Sequence, residues 1–442
     1  MSYASCNVVS QDIKKAWGMS VRIGLIVTVC FIPSTHTFVH ADDVPQSFAL
    51  PQSDDGLPGT GPIRRYDWFR KLWKSRRTAF AGEISKKQGA VVFLGDSITQ
   101  GWGPTFKDHF PGLNAANRGI SGDTTRGMLI RLNQDVLSLN PSAVVILMGT
   151  NDLEEGASPE TISGNVELII AALKKHSATM PIVLCRVFPS SANLKRPATA
   201  IQKLNELNET AVRGDAQITV LDTWTLFANE HGDANQTEFP DLLHPNQAGY
   251  AMWAKALVPI FATLGYLETK PDDFQIESGF RSLFNGRDLT GWGFRPKEHE
   301  PQYFSSSSTP DGRYVALNDR LIVTTPAEGR RFQQLWTKEE FTGDFTLKLE
   351  FRATPNADSG VFIRKPQLQC RDYVLAGPYT ELKKYRQQDW NELVVVVNDN
   401  VAHCTCNGEI LEAEFRLPES GPIGLEGDRG QMEYRRIRIR KD

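Results

Sequence analysis

The hydrophobic positions between residues 63 and 267 fall into short apolar runs separated by amphipathic stretches. An apolar run without polar alternation is typical of a parallel strand that is covered on both faces. Four runs predict strands: Ala90–Leu94, Ala143–Met148, Pro181–Val187 and Gln217–Leu221. Four amphipathic stretches predict helices: Thr124–Leu139, Pro159–His176, Pro197–Arg213 and Asn246–Leu264. This strand–helix repetition predicts an α/β fold, a three-layer sandwich built on a parallel sheet.

A different pattern follows a polar stretch at residues 268–277, which predicts a linker. In residues 345–351, Phe and Leu alternate with Thr, Lys and Glu, as in a strand with one buried face. Turn pairs such as Asn285-Gly286 and Asn407-Gly408 separate such segments. The pattern predicts an antiparallel β-sandwich. We therefore expect two domains, at residues 62–267 and 278–442.

The N-terminus carries the pattern of an export signal. An apolar run at residues 23–32 follows Arg22 and ends before Pro33, and it is too short to span a bilayer. Val39-His40-Ala41 places small residues where a signal peptidase cuts. We expect a signal peptide at residues 1–41, with Met19 as an alternative start, and a secreted or periplasmic product. An uncleaved membrane helix is the alternative. Residues 42–61, rich in Pro, Gly, Ser and Asp, predict a flexible leader.

Length, charge and cysteine content limit the kinds of domain, partner and site that the chain can have. A chain of 442 residues is too long for one core, which agrees with two domains. The net charge of -3 favours neither a nucleic-acid nor a polybasic membrane partner. The expected mature chain keeps four cysteines, too few for a disulfide framework. Either Cys404 or Cys406 could pair with Cys370 in a disulfide, and a zinc site is not expected. The four are Cys185, Cys370, Cys404 and Cys406.

A serine follows the first predicted strand directly. Residues 95–99 read Gly-Asp-Ser-Ile-Thr, so Ser97 stands at the carboxyl end of a central strand, where open parallel sheets carry their active sites. A serine becomes a useful nucleophile only with a base and with donors for the developing oxyanion. Without them, Ser97 would be a helix cap.

A candidate base lies before the last predicted helix. Asp241 and His244 are three residues apart, a spacing that lets the carboxylate orient the imidazole. We expect His244 to take the proton of Ser97 while Asp241 fixes the tautomer of the ring. His231 is the nearest competitor, but it lacks such an aspartate.

Two turns after strand-like segments offer oxyanion donors. Glycine exposes its backbone N–H at close range, which makes Gly119 and Gly122 candidates. Asn151, after the second strand of the pattern, offers a neutral side-chain donor, although as a turn residue it would need no catalytic role. Either glycine with Asn151 and the N–H of Ser97 would make a three-donor oxyanion hole.

Four sequence blocks in this order resemble the SGNH hydrolases, also called GDSL hydrolases. The resemblance covers residues 63–267 and rests on Gly-Asp-Ser-Ile-Thr, Gly-Ile-Ser-Gly-Asp-Thr-Thr, Gly-Thr-Asn-Asp and Asp-Leu-Leu-His-Pro-Asn. It is strongest for the branch of platelet-activating-factor acetylhydrolase catalytic subunits and bacterial acetylesterases. It implies a flavodoxin-like sheet, Ser97 as nucleophile, Asp241 and His244 as its partners, and an oxyanion hole of Ser97, Gly122 and Asn151.

The implied chemistry is acyl transfer through an acyl-enzyme, which needs no metal or cofactor. No long lid-like hydrophobic insertion separates the blocks, which favours a short acyl group, acetyl first. Lysophospholipase or thioesterase activity is an alternative for the same residues. Trp102 is a candidate aromatic wall for a sugar or an acyl chain, or else a core residue.

Residues 278–442 resemble the family named for 3-keto-disaccharide hydrolases, which implies a concanavalin-like β-sandwich of the jelly-roll type and contact with carbohydrate. The resemblance rests on residues 283–292, 359–364, 389–391 and 421–426. Members often carry a glutamate where this chain has Gln367, and a neutral amide cannot serve as general acid or base.

Together these features predict an exported serine esterase that acts on a small-molecule or polysaccharide ester, with acetyl on a carbohydrate as the first expectation. The alternatives are a bifunctional esterase and glycoside hydrolase, and a carbohydrate-binding surface protein without catalysis. No membrane span is expected after removal of the signal.

Overall fold

The computed structural model describes residues 48–213, 215, 217–267, 273–324, 334–372 and 378–441. Three predicted segments lie outside the described residues: the signal peptide at residues 1–41, residues 42–47 of the leader, and residues 268–272, the first half of the linker. Among the helices of the described part, none combines the length and apolar character needed to cross a membrane.

A five-stranded parallel sheet forms the centre of the first fold. Its strands are β1 (Val91–Gly95), β2 (Ala115–Gly119), β3 (Ala143–Leu147), β4 (Ile182–Cys185) and β5 (Ile218–Leu221). They lie in the order β2-β1-β3-β4-β5, the flavodoxin-like order. Val91 pairs with Ala115 on one side and with Ala143 on the other. The predicted parallel α/β sheet is confirmed.

Helices cover both faces of this sheet. They are α1 (Asp67–Glu83), α2 (Ser97–Gly101), α3 (Phe106–His109), α4 (Thr125–Asp135), α5 (Thr150–Glu154), α6 (Pro159–His176), α7 (Ala198–Ala211), α8 (Thr223–Phe227) and α9 (Gln247–Thr263). Along β1, Val92 faces a core that includes Met128 of α4. Its neighbour Phe93 faces the opposite core, which includes Trp253 of α9. Alternation along the strands therefore produces the three layers.

The second fold is built from antiparallel strands. They are β6 (Arg281–Ser282), β7 (Trp292–Phe294), β8 (Gln302–Tyr303), β9 (Tyr314–Leu317), β10 (Arg320–Val323), β11 (Leu335–Thr337), β12 (Phe341–Thr342), β13 (Phe345–Ala353), β14 (Asp358–Ile363), β15 (Gln367–Arg371), β16 (Asn391–Asn398), β17 (Val401–Cys406), β18 (Glu409–Arg416), β19 (Ser420–Gly421), β20 (Ile423–Leu425) and β21 (Met432–Lys441).

Two larger sheets and one short pair arise from these strands. The first sheet runs β18-β17-β16-β13-β21-β10-β9, with β6 beside β21, and the second runs β15-β14-β20-β11-β7-β8. Strands β12 and β19 form the pair. Phe345 and Leu347 of β13 are fully buried in one core with Val361 of β14. The predicted antiparallel sandwich is confirmed.

Buried polar contacts join the two folds, and from Phe48 onward the described residues form one compact unit. Arg352 of β13 pairs with Glu433 of β21 at 2.6 Å, and both side chains are almost fully buried. Thr263 of α9 donates to Glu433 at 2.5 Å, and Arg352 donates to the carbonyl of Pro259 at 3.1 Å. A buried charge needs such partners, so this pair depends on the contact with α9.

Residues 48–61, part of the predicted flexible leader, contact the α/β fold. Leu50 is buried, and Arg126 of α4 donates to Asp54 at 2.6 Å. The side chain of Asn165 on α6 exchanges hydrogen bonds with the backbone of Thr60. This segment forms a strap across α4 and α6 and leads the chain into α1.

The four cysteines among the described residues carry free, buried thiols. Cys404 and Cys406 belong to β17, whereas Cys370 belongs to β15 of the other sheet. The pairing with Cys370 that the sequence left open is absent from the described residues.

Candidate active site

Ser97 is the first residue of α2 and follows β1 after a single residue. Asp96 caps this helix, because its carboxylate accepts from the N–H of Ile98 at 2.9 Å. A first helical residue has no intrahelical partner for its own N–H. The turn therefore presents both the hydroxyl and the backbone N–H of Ser97 at the carboxyl end of the sheet.

The imidazole of His244 lies between Ser97 and Asp241. Its Nε2 is 3.0 Å from Oγ of Ser97, across 147 positions of sequence. Its Nδ1 is 2.7 Å from Oδ2 of Asp241. With Nδ1 donating to the carboxylate, Nε2 keeps the lone pair that a general base needs. The structure thus brings together the three residues that the sequence singled out.

Asp241 is held as a carboxylate by the turn that it begins. Its other oxygen accepts from the backbone N–H of Leu243 at 3.0 Å and of His244 at 2.7 Å. Partial burial acts to raise the pKa of Asp241, but the hydrogen bonds from His244 and Leu243 outweigh it and lower that pKa. The group therefore stays charged and orients the ring.

Of the two candidate glycines, only Gly119 has a partner for its backbone N–H among the described residues. The N–H of Gly119 donates to Oδ1 of Asn117 at 2.9 Å. Gly122 adopts φ +83° in the loop after β2. Asn151 lies against the next residue of that loop, since its Nδ2 donates to the carbonyl of Asp123 at 2.9 Å. An amide nitrogen carries two hydrogens, so one remains for an oxyanion.

A network of ion pairs that the sequence did not reveal supports Asn151. Arg196, which is buried, donates to the carbonyl of Thr150 at 3.0 Å and lies 3.4 Å from Oδ1 of Asn151. It also pairs with Glu154 at 2.8 Å. Arg64 pairs with the same Glu154 and, at 2.7 Å, with Glu155. The guanidinium of Arg196 thereby orients the amide of Asn151.

Three buried carboxylates surround the loops of the site. Burial raises the pKa of Asp96 and of Asp152 to about 6 and that of Asp123 to about 7. Asp152 accepts from both the N–H and the hydroxyl of Thr125, and Asp123 pairs with Arg131 at 2.7 Å. These contacts tie the loops after β2 and β3 to α4, so the groups brace the site.

Two other candidates lie elsewhere. His231 is largely exposed and pairs with Glu230 at 3.4 Å. Trp102 is 1% exposed and stacks on Trp253, with ring centroids 4.4 Å apart. Trp102 is therefore a core residue and not the wall of a substrate cleft.

The β-sandwich carries a polar cluster on its second sheet. Gln367 of β15 and Gln334 both donate to the carboxylate of Glu426, the latter at 3.3 Å. Burial raises the pKa of Glu426. Gln367 thus contacts a neighbouring carboxylate and is not itself an acid.

Known proteins resemble both folds. Residues 93–252 match the GDSL-like lipase/acylhydrolase family. Residues 279–440 match the 3-keto-alpha-glucoside-1,2-lyase-like domain. The platelet-activating factor acetylhydrolase IB subunit alpha2 of Homo sapiens is 29% identical over 206 residues, 46% of this chain and 88% of that protein.

Two solved structures are similar in sequence to part of this chain. A GDSL-like lipase from Bacteroides thetaiotaomicron is 27% identical, with a TM-score of 0.39, over 42% of this chain and 98% of that one. A lipase/acylhydrolase from Enterococcus faecalis is 28% identical, with a TM-score of 0.35, over 41% of this chain and 98% of that one. By the family matches, the chain joins a GDSL-like lipase/acylhydrolase domain to a 3-keto-disaccharide hydrolase-like domain, and it is a carboxylic ester hydrolase.

Proposed function

We propose that this chain is an exported serine esterase that removes acetyl groups from a carbohydrate, with Ser97, His244 and Asp241 as its catalytic triad. One observation carries the proposal: a single imidazole lies within hydrogen-bond distance of both the hydroxyl, at 3.0 Å, and the carboxylate, at 2.7 Å. That is the arrangement in which a serine hydroxyl becomes a nucleophile.

In the proposed reaction, Oγ of Ser97 attacks the ester carbonyl while His244 takes its proton. The negative oxygen of the tetrahedral intermediate is stabilised by the N–H groups of Ser97 and Gly122 and by Nδ2 of Asn151. His244 then protonates the departing alcohol. Water, deprotonated by His244, releases the acyl group as acetate and restores the hydroxyl. Asp241 stabilises the imidazolium in both halves.

The preference for a carbohydrate ester rests on the second domain and on the polar surroundings of the site. A 3-keto-disaccharide hydrolase-like domain in the same chain favours a glycan substrate. Charged residues lie near the oxyanion donors, because Arg64 approaches Gly122 and pairs with Glu154 and Glu155. A long acyl chain would desolvate these charges, so a short acyl group suits the site better.

Export and domain roles complete the proposal. The signal sequence expected at residues 1–41 would direct the protein to the periplasm or the exterior, where polysaccharides are accessible. Residues 62–267 would catalyse, and residues 278–442 would hold the glycan. Gln367 supports binding over cleavage, because an amide transfers no proton in acid–base catalysis.

The test is hydrolysis of p-nitrophenyl acetate, p-nitrophenyl octanoate and acetylated xylan by the full chain and by Ser97→Ala. We expect acetate release from xylan, a preference for the short ester, and a loss of at least about 10³-fold in kcat on substitution. Ser177→Ala, at the end of α6, is the matched control and keeps full activity. Unchanged hydrolysis by Ser97→Ala would refute the triad, and a preference for octanoate would refute the acetyl assignment.

A further inference from the structure

Two aromatic rings lie exposed and parallel beside the site. Tyr66 and Trp68, which we call the aromatic platform, are 52% and 51% exposed, while most aromatic side chains of the described residues are buried. Their rings are 12° from parallel, with centroids 6.3 Å apart. Phe69, which is buried, packs edge-on against Trp68 at 5.7 Å and fixes its orientation. Two adjacent exposed aromatic rings, in contrast to a single scattered apolar side chain, are a candidate binding surface.

The aromatic platform adjoins the proposed oxyanion hole. A Cβ built on Gly122 would lie 2.6 Å from Cη2 of Trp68 and 3.1 Å from Nη1 of Arg64. The indole edge therefore touches the loop that presents one oxyanion donor. A substrate whose ester carbonyl faces Gly122 has its neighbouring atoms within reach of the platform.

The cleft above the platform has the chemistry of a sugar site. Its volume is about 220 Å³, and four of its six lining residues are charged: it is lined by Arg64, Tyr66, Trp68, Glu154, Glu155 and Lys195. Pockets for drug-sized ligands measure about 300–1,000 Å³, so this cleft suits one ring and no long chain. A pyranose has an apolar C–H face for the aromatic rings and a rim of hydroxyls for the charged groups.

We infer that the aromatic platform binds the sugar ring that bears the ester, an inference that rests on the proposed esterase function. The ring packs against the indole of Trp68, beside Tyr66, and Glu155 and Lys195 bind its hydroxyls. Trp68 belongs to α1 and Tyr66 precedes it, so both lie outside residues 93–252 that match the hydrolase family. The platform thereby adds glycan selectivity to a general ester hydrolase.

The first measurement is the kinetic selectivity of Trp68→Ala in the full chain. We expect kcat/KM for acetylated xylo-oligosaccharides to fall about tenfold more than kcat/KM for p-nitrophenyl acetate. Trp68→Phe keeps most of this selectivity. Leu168→Ala removes another exposed apolar side chain, from α6, and changes neither activity. Equal losses on both substrates, or a selective loss on p-nitrophenyl octanoate, overturn the inference.

The second measurement separates this inference from the proposed function. Binding of xylohexaose is followed by calorimetry in Ser97→Ala, which cannot turn over. We expect Kd to rise about tenfold when Trp68→Ala is added. If Trp68→Ala alters neither the Kd nor the number of xylohexaose molecules bound, or if neither variant binds, the platform is overturned. A wild type that binds xylohexaose through Trp68 yet hydrolyses no ester refutes the esterase and leaves the platform standing.

Discussion

The indole of Trp68 lies directly against Gly122, so closely that a methyl group on that glycine would stand 2.6 Å from Cη2. Gly122 also adopts φ +83°, a conformation that residues with a Cβ rarely take. The positive φ therefore disfavours a Cβ at the position whose N–H we assign to the oxyanion hole, and the indole of Trp68 would have to shift to admit one. The contact places the aromatic platform against the loop of the proposed oxyanion hole.

Gly122→Ala tests this double constraint. We expect a loss of about 10²–10³-fold in kcat, because the displaced loop moves its N–H away from the oxyanion. The left-handed conformation alone costs about 1–2 kcal/mol in the free energy of unfolding. Steady-state kinetics and urea denaturation measure the two effects.

Gly156→Ala is the matched control for that variant. Gly156 has φ +85°, but a Cβ there would meet no atom within 4 Å. We therefore expect this control to lose a similar free energy of unfolding while its kcat is unchanged. Equal kcat losses in the two variants would mean that strain, and not the position of the Gly122 N–H, explains the effect.

Asn151→Ala removes the side-chain donor. We expect kcat to fall about 10²–10³-fold with KM little changed, since the hydrogen bond strengthens only in the transition state. Arg196→Gln, which loosens the amide without deleting it, is expected to show a smaller fall in kcat. A rise in KM with constant kcat in Asn151→Ala would assign this residue to substrate binding instead.

Asp96 predicts a specific pH dependence of stability. Its ordinary pKa is 3.8, and burial raises it to about 6 in the folded protein. Between these values the native state binds more protons than the unfolded state, so this group makes stability fall as pH rises from about 4 to 6. The shift corresponds to a destabilisation of about 3 kcal/mol in the free energy of unfolding, and this destabilisation is present in full above pH 6.

Urea denaturation of wild type and Asp96→Asn at pH 4, 5, 6 and 8 measures this effect. The asparagine keeps an oxygen for the N–H of Ile98 but does not ionise. We expect the variant to gain stability relative to wild type as pH rises, levelling off above pH 6. A stability difference that is constant across these pH values would show that Asp96 titrates normally.

The contact between the two folds predicts a large effect of Glu433→Gln. This substitution leaves the buried guanidinium of Arg352 without its countercharge. Breaking a buried pair in this way costs about 3–5 kcal/mol. Denaturation followed by fluorescence measures the loss. A double variant, Arg352→Met with Glu433→Gln, is expected to recover part of it, and failure to recover any would assign the loss to the amide itself.

The central sheet was predictable because its strands carry continuous apolar runs and its helices carry clear caps. Helix α6 matches its predicted range, with Ser158 as cap and Pro159 as first residue. Strand β2 was not predicted, because Asn117 and Arg118 interrupt any apolar run. Arg118 is nonetheless buried, and pairing with Glu83 at 3.0 Å makes its burial tolerable.

In the candidate site, too, the sequence predicted some residues and missed others. Ser97 follows a strand, and Asp241 and His244 lie three residues apart, so local patterns identified them. Arg64 and Arg196 converge on Glu154 from positions 90 and 42 residues away. Such long-range ion pairs leave no periodic signal in the sequence. Trp68 shows no signal either, because its role depends on contact with Gly122.

The most direct test of the triad is covalent labelling by a fluorophosphonate, followed by peptide mass spectrometry. The reagent reacts with a serine only when a base activates the hydroxyl. We predict that it modifies Ser97 and that His244→Ala slows the labelling at least about 10²-fold. Modification of a different serine, with Ser97 unlabelled in the folded protein, would contradict the account.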